Sequence, residues 1–318
     1  MTTLRSVLIA VSLYVLGYAA PSVAAEKLNL AIGQKGFWDA MVVPAGVEAG
    51  IFKKHNLEVE ITYTAGGSET LQAAISGSAD YALTNGTTGV FAAYEKGAPL
   101  RIVSNESRGT ADAFWYVKAD SPIKTLKDAA GKTMAFSRPG SSTHFMVTQL
   151  AKKAGVDIKL IPACGLPATR TQVMSGQLDI GWAVPPFILD QVESGAARIV
   201  ARGAELTEFK NDSIRVNVAN ADFLKKRPAA AKAFDAAYAE TVDWMYANLD
   251  KFLVMYAREN QIDVKVARAA AEFYPKENMT PYPVGGIANL MKEAVETKQI
   301  SKPFTEAQLK ELILAPMK

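Results

Sequence analysis

The ten residues SGSADYALTN (76–85) return 99 positions later as SGQLDIGWAV (175–184), and a chain that repeats a phrase in matching surroundings must build two similar units. Ahead of the first copy, residues 69–75 are good helix formers. Ser76-Gly77 stops that helix, 80–84 is a short apolar strand, 90–96 is helical again up to Gly97, and 100–104 returns as a strand. Around the second copy the order repeats: helix 169–174, stop at Ser175-Gly176, strand 179–184, helix 187–193 up to Gly195, strand 197–201. Both closing strands carry Arg-Ile-Val, at 101–103 and 198–200. The runs LNLAIG (28–33), 57–63, 132–137 and 157–163 fit the same alternation.

Strands alternating with helices of this length call for parallel sheet, because parallel neighbours need a crossover between them. The expected fold class is therefore α/β, with two similar lobes. Gly77 and Gly176 suit helix ends that require a left-handed residue. Asp80 and Asp179 each open a strand at the end opposite to where open α/β sheets place ligands, so they read as structural carboxylates rather than an acid–base pair.

The N-terminus has one charge, Arg5, then an apolar run over 7–20, Pro21 and small residues at 23–25. That is the pattern of a secretory leader over 1–25, cut before Glu26. No cysteine follows the run, so lipid attachment is not expected. Cys164 is alone, which leaves an exported chain without an internal disulfide, its one thiol a core or loop residue. With 35 Lys and Arg against 32 Asp and Glu, no basic stripe exists to make nucleic acid a partner.

Ligands of open α/β sheets bind beyond the carboxyl ends of the strands, where helix N-termini point their free N–H groups. Three small, hydroxyl-rich turns converge there: Gly66, Gly67 and Ser68 after strand 57–63; Asn85, Gly86 and Thr87 after strand 80–84; and Arg138, Gly140, Ser141, Ser142 and Thr143 after strand 132–137. Together they suit an anionic or strongly polar group. The second unit's equivalents are apolar: Trp182, Val184 and Pro185, with Phe37 and Trp38 after the first strand opposite them. Arg138, and secondarily Arg170, is the expected counter-charge. His55 and His144 are neither a metal pair nor a base beside a nucleophile, and no zinc spacing, P-loop or nucleophile elbow is present. Binding without catalytic residues, metal or cofactor is the expectation.

The segments GVEAGIFKKHNLEVEITYTAGGSETLQAAISGSADYALTN, GAPLRIV, SPIKTLKDAAGKTMAFSRPGSSTHF and VMSGQLDIGWA resemble the solute-binding proteins of ABC importers in the nitrate, sulfonate and taurine group, related to the pyrimidine-precursor binders. The resemblance runs from about residue 28 to 199 and less distinctly beyond. It implies a type II periplasmic-binding-protein fold, two doubly wound α/β lobes joined by two hinge strands. Residues 26–115 and 216–318 would form one lobe and 116–215 the other, with crossings near 114–117 and 214–218. It further implies a monomer in the periplasm that closes on a small-molecule solute and docks on an ABC permease in the inner membrane. The three turns would contribute to the cleft. Pro185-Pro186 departs from the pattern and favours an organic anion, sulfonate- or taurine-like or an aromatic carboxylate, over nitrate; a pyrimidine or thiamine precursor is the alternative. Pyrimidine-forming enzymes share the fold but carry a cysteine-rich motif, against which the single Cys164 speaks.

Overall fold

The computed structural model describes residues 24–163 and 165–316. The expected leader over 1–25, save its last two residues, and Cys164 lie outside them. Ten strands follow one another: β1 (Glu26–Gly33), β2 (Leu57–Thr64), β3 (Tyr81–Gly86), β4 (Leu100–Arg108), β5 (Phe114–Lys118), β6 (Thr133–Phe136), β7 (Lys159–Pro162), β8 (Gly181–Ala183), β9 (Ala197–Arg202) and β10 (Ser213–Asn220). Each lies within a residue or a few of a run that reads as extended in the sequence. Helices fill the intervals between most of them, as the apolar periodicity requires.

The repeat is visible in the strand order. One sheet runs β2-β1-β3-β10-β4. In the other half, β7 pairs with β6, and β8-β5-β9 form a three-stranded sheet. A parallel bridge between Met134 and Ile180 joins β6 to β8. The second half therefore reads β7-β6-β8-β5-β9, the same arrangement with β5 in the place that β10 holds in the first. Each unit inserts into its sheet one strand that follows the other unit's last. This is the type II periplasmic-binding-protein fold.

The parallel pairing expected from the alternation does not extend to the two inserted strands. β1 is parallel to β2 and β3, but β10 is antiparallel to β3 and β4, and β5 to β8 and β9. The inserted strand arrives from the opposite unit rather than through a helical crossover, so nothing obliges it to run with its neighbours. The chain changes sheets over 109–113 and 203–212, just ahead of β5 and β10, and the two passages lie side by side. Gly109 N–H donates to Asp212 O (2.9 Å) and Gly203 N–H to Ala113 O (2.8 Å), while Thr110 Oγ1 donates to Gly203 O (2.7 Å).

The duplicated phrase does the same local work twice. Gly77 and Gly176 end their helices at φ 77° and 80°, the left-handed backbone that glycine adopts without a Cβ penalty. Asp80 Oδ2 accepts the β1 amide of Asn29 at 2.8 Å; Asp179 Oδ2 accepts the N–H of Thr133, at the start of β6, at 2.9 Å and its hydroxyl at 2.8 Å. Both carboxylates tie strands together far from the cleft. The C-terminal helices Pro228–Ala247 and Leu249–Asn260 return to the first sheet's side, where the former packs on helix Val42–Glu48. Ile313 bridges to Ile102 of β4.

Candidate functional site

Between the two sheets lies a cleft lined by Gly33, Gln34, Phe37, Asp39, Gly66, Gly67, Thr84, Ser137, Ser141, Ser142, Thr143, Trp182 and Arg215.

Two helix N-termini face each other across it. Helix Gly67–Ser76 begins just after β2, and helix Ser142–Ala154 just after β6. The first N–H groups of each have no intrahelical partner and carry the positive end of the helix dipole. Around the second, hydroxyls knit a buried web: Ser137 Oγ lies 2.9 Å from Ser141 Oγ and 2.8 Å from Thr143 Oγ1, and Ser141 Oγ caps the helix by accepting from His144 N–H at 3.2 Å. The ring of His144 stacks on Phe136, centroids 4.4 Å apart, and its Nδ1 accepts from Gly140 N–H at 3.1 Å. Burial lowers the pKa of His144, consistent with a neutral ring that shapes the turn.

The apolar wall is made by Phe37 and Trp182, which meet edge to face at 6.2 Å and 73°. Trp182 is fully buried, and its Nε1 has no hydrogen-bond partner among the described residues. A buried N–H left unpaired is costly, so a donor lining a cleft in this condition is one a ligand would complete.

Arg215, projecting from β10, and Asp39, from the turn after β1, form the charged floor. Arg215 Nη1 donates to Asp112 Oδ2 at 2.6 Å and stands 3.5 Å from Asp39 Oδ2; its Nε donates to Ser142 Oγ at 2.9 Å, reaching across to the second lobe. All of these side chains are buried. Beneath them Glu106 is fully enclosed, neither of its carboxyl oxygens having a hydrogen-bond partner among the described residues. Burial foremost, with the charge of Asp39 adding, pushes its pKa well above the usual carboxylate range.

Of the residues expected from sequence, the structure gathers Phe37, Gly66, Gly67, Ser141, Ser142, Thr143 and Trp182 at the cleft. It puts the rest elsewhere. Trp38 turns into the core, where it stacks on Tyr274 with centroids 5.2 Å apart and donates from Nε1 to Tyr246 Oη at 3.2 Å. Asn85 bonds back to Ala82 O, and Thr87 donates to Ser213 O. Gly86 packs under the backbone of residues 140–142, a Cβ there lying 2.5 Å from Ser142 N. The turn after β3 is thus a seat for the opposite lobe's turn. Gly140 rests on Gly89 for the same reason. Ser68 donates to Pro139 O at 2.6 Å, and Pro185 is buried, its carbonyl taken by Tyr256 Oη at 3.0 Å. Arg138 pairs with Glu69, and Arg170 is exposed on helix Leu166–Met174. Neither arginine lines the cleft.

The charged pair Asp39 and Arg215 was missed. Its signal lay in SIRVNVAN, where apolar residues 214, 216 and 218 alternate with polar 213, 215 and 217. Such alternation ordinarily marks a strand with one wet face, but every residue of β10 is buried. An arginine there needs an internal acid.

Residues 40–251, more than half of the chain, match the family model described as "NMT1/THI5 like". An aliphatic sulfonates-binding protein of Escherichia coli (strain K12) is 25% identical over 218 residues, 68% of this chain and 66% of that protein, just under two thirds of the relative's length. Two solved structures share the fold over nearly the whole chain. The alkanesulfonate-binding protein SsuA from Xanthomonas axonopodis pv. citri, bound to MOPS, aligns with a TM-score of 0.74 at 18% identity over 92% of this chain and 100% of that one. The periplasmic nitrate-binding protein NrtA from Synechocystis PCC 6803 aligns at 0.73 and 15%, over 91% and 86%. With two lobes of one strand order and a shared cleft in place, the family match completes the assignment: this chain belongs to the NMT1/THI5-like family.

Proposed function

We propose that this chain is the solute-binding component of an ABC importer, exported by the leader over 1–25, free in the periplasm without a lipid anchor, and monomeric. It takes up a small organic anion, sulfonate- or taurine-like or an aromatic carboxylate, and delivers it to an inner-membrane permease driven by an ATPase. Lobes of 26–115 with 216–318, and of 116–215, close over the solute about the side-by-side passages. The observation that carries this reading is the convergence of two helix N-termini, one from each lobe, on a single cleft whose wall offers an unpaired indole N–H. Every one of these donors suits negative charge, and contacts from both sides give the closed form the differential affinity that closure requires. The kinship with a sulfonates-binding relative points the same way.

A thermal-shift panel of alkyl and aryl sulfonates, carboxylates, nitrate and pyrimidines on the purified mature chain tests it. A true ligand at ~100 times its Kd adds about 2.7 kcal/mol to the folded state and raises Tm accordingly. If only pyrimidines shift the transition, the anion reading is wrong.

Trp182→Phe keeps the aromatic wall and removes the donor. Losing a hydrogen bond to a charged group, about 1.5–3 kcal/mol, lowers affinity for the ligand so identified by roughly 10- to 100-fold, measured by calorimetric titration. An unchanged Kd would place the anion elsewhere in the cleft.

A further inference from the structure

We propose that His144 makes lobe closure answer to pH: its neutral ring holds the turn over 139–142 in the shape that seats on the first lobe, and a proton on that ring frees the turn and favours the open form. This rests on closure over the cleft, not on the charge of the solute. Nδ1 of His144 accepts the N–H of Gly140 at 3.1 Å, and an imidazolium, a donor at both nitrogens, cannot accept it. Gly140 in turn packs so closely on Gly89 of the first lobe that a Cβ at Gly89 would meet its carbonyl oxygen. Ser68 of the same lobe donates to the adjacent carbonyl of Pro139 at 2.6 Å. A proton on Nδ1 therefore competes with the hydrogen bond that shapes the contact between the lobes.

The opposite lobe also shields the ring. His144 lines a groove at the junction, with Pro139 and Gly140 beside it and Ser68, Leu71 and Gly89 across it. Opening takes the far wall away, and a ring in contact with water charges more easily. Burial is what lowers the pKa of His144, and among the described residues no acid pairs with it. Arg138 on its own turn is taken by Glu69 of helix Gly67–Ser76. Lys96 after helix Thr87–Glu95 and Lys298 after helix Ile287–Glu296 line the same groove and oppose a further positive charge. Farther along its own helix, Lys152 is paired with Glu293 and Glu296. The closed form thus holds the proton less tightly than the open one, so closure is strongest above the open form's pKa and weakens as pH falls through it. By reciprocity, a ligand that closes the lobes lowers the pKa of His144 further.

Proton and amide NMR of the ligand-free mature chain across pH 5 to 8 tests this first. The His144 ring is expected to titrate below 6.5, and the Gly140 amide signal to move with it. A Gly140 signal indifferent to that titration overturns the proposal. Calorimetric titration then uses ethanesulfonate, benzenesulfonate, nitrate and uracil, none of which changes charge between pH 5 and 8. Whichever binds is expected to bind about three- to tenfold more weakly at pH 5.0 than at pH 7.5, a tenfold loss corresponding to about one pKa unit between open and closed forms. In His144→Asn, whose Oδ1 can accept from Gly140 without titrating, the loss should shrink to less than about twofold. Affinity that stays flat with pH in the unaltered chain, or a loss that His144→Asn keeps in full, overturns the proposal and leaves the anion reading untouched. If none of the four compounds binds, or the variant does not fold, the joint titration of His144 and Gly140 in the unaltered chain decides the matter.

Discussion

Arg215→Met is expected to destabilise the folded chain by about 3–5 kcal/mol, the range for breaking a buried ion pair by removing one partner. The guanidinium is 4% exposed and neutralises Asp112 at 2.6 Å and Asp39 at 3.5 Å. Methionine preserves much of the volume and removes the charge, so two acids are left without their guanidinium in an interior whose burial already raises the pKa of Glu106. The measurement is the urea midpoint with the slope unchanged, which separates a stability loss from a change in the unfolded ensemble. Arg215→Met with Asp112→Asn should recover part of the loss, since the penalty belongs to the unpaired charge rather than to the missing arginine. A loss below ~1 kcal/mol, the scale of an exposed pair, would mean that water reaches these groups and that the floor is not the dry network described here.

Gly89→Val should leave each lobe folded and abolish tight binding. Gly89 lies on helix Thr87–Glu95 of the first lobe, and a Cβ there would stand 2.1 Å from the carbonyl oxygen of Gly140 on the second. No flexible side chain can move aside, because the atom that the Cβ meets is backbone. The turn over 139–142 cannot then seat, and Ser68–Pro139, Arg138–Glu69 and Arg215–Ser142, which join the same two faces, are lost with it. If the closed form falls to ~1% of molecules, apparent affinity falls about 100-fold, because only the competent fraction binds. Titration reads that loss, and small-angle scattering should show a larger radius that ligand no longer reduces. Unaltered binding in Gly89→Val would show that the seated turn is not part of the binding-competent state.

Arg138, outside the cleft lining, has another use in this light. Its pairing with Glu69 bridges the N-terminus of helix Gly67–Ser76 to the turn after β6, so it bears on how the two faces meet rather than on what lies between them. The Asn85–Thr87 turn lies outside the cleft lining for a related reason. It has the glycine and hydroxyls of a ligand turn, but the same small residues also let a neighbouring backbone come close, and only the arrival of residues 139–142 decides which use is made of them.

The duplication, eight of the ten strands and the glycine stops could be read from the residue pattern, because hydrophobic period and turn chemistry are local and act the same way at 76–85 as at 175–184; β5 and β10 were expected only from the family resemblance. The parts that escaped are those settled between residues far apart. Phe37 and Trp38 are adjacent and equally apolar; the end of β1 sends one to Trp182 and the other to Tyr274. Nothing near Asp39 in the sequence announces Arg215, 176 positions on. Each charge is tolerable in the interior only because the fold brings the other to it, and long-range pairing of that kind leaves no periodic mark. The antiparallel course of β5 and β10 likewise follows from the chain entering each sheet from the opposite lobe, a fact of connectivity in space rather than of residue type.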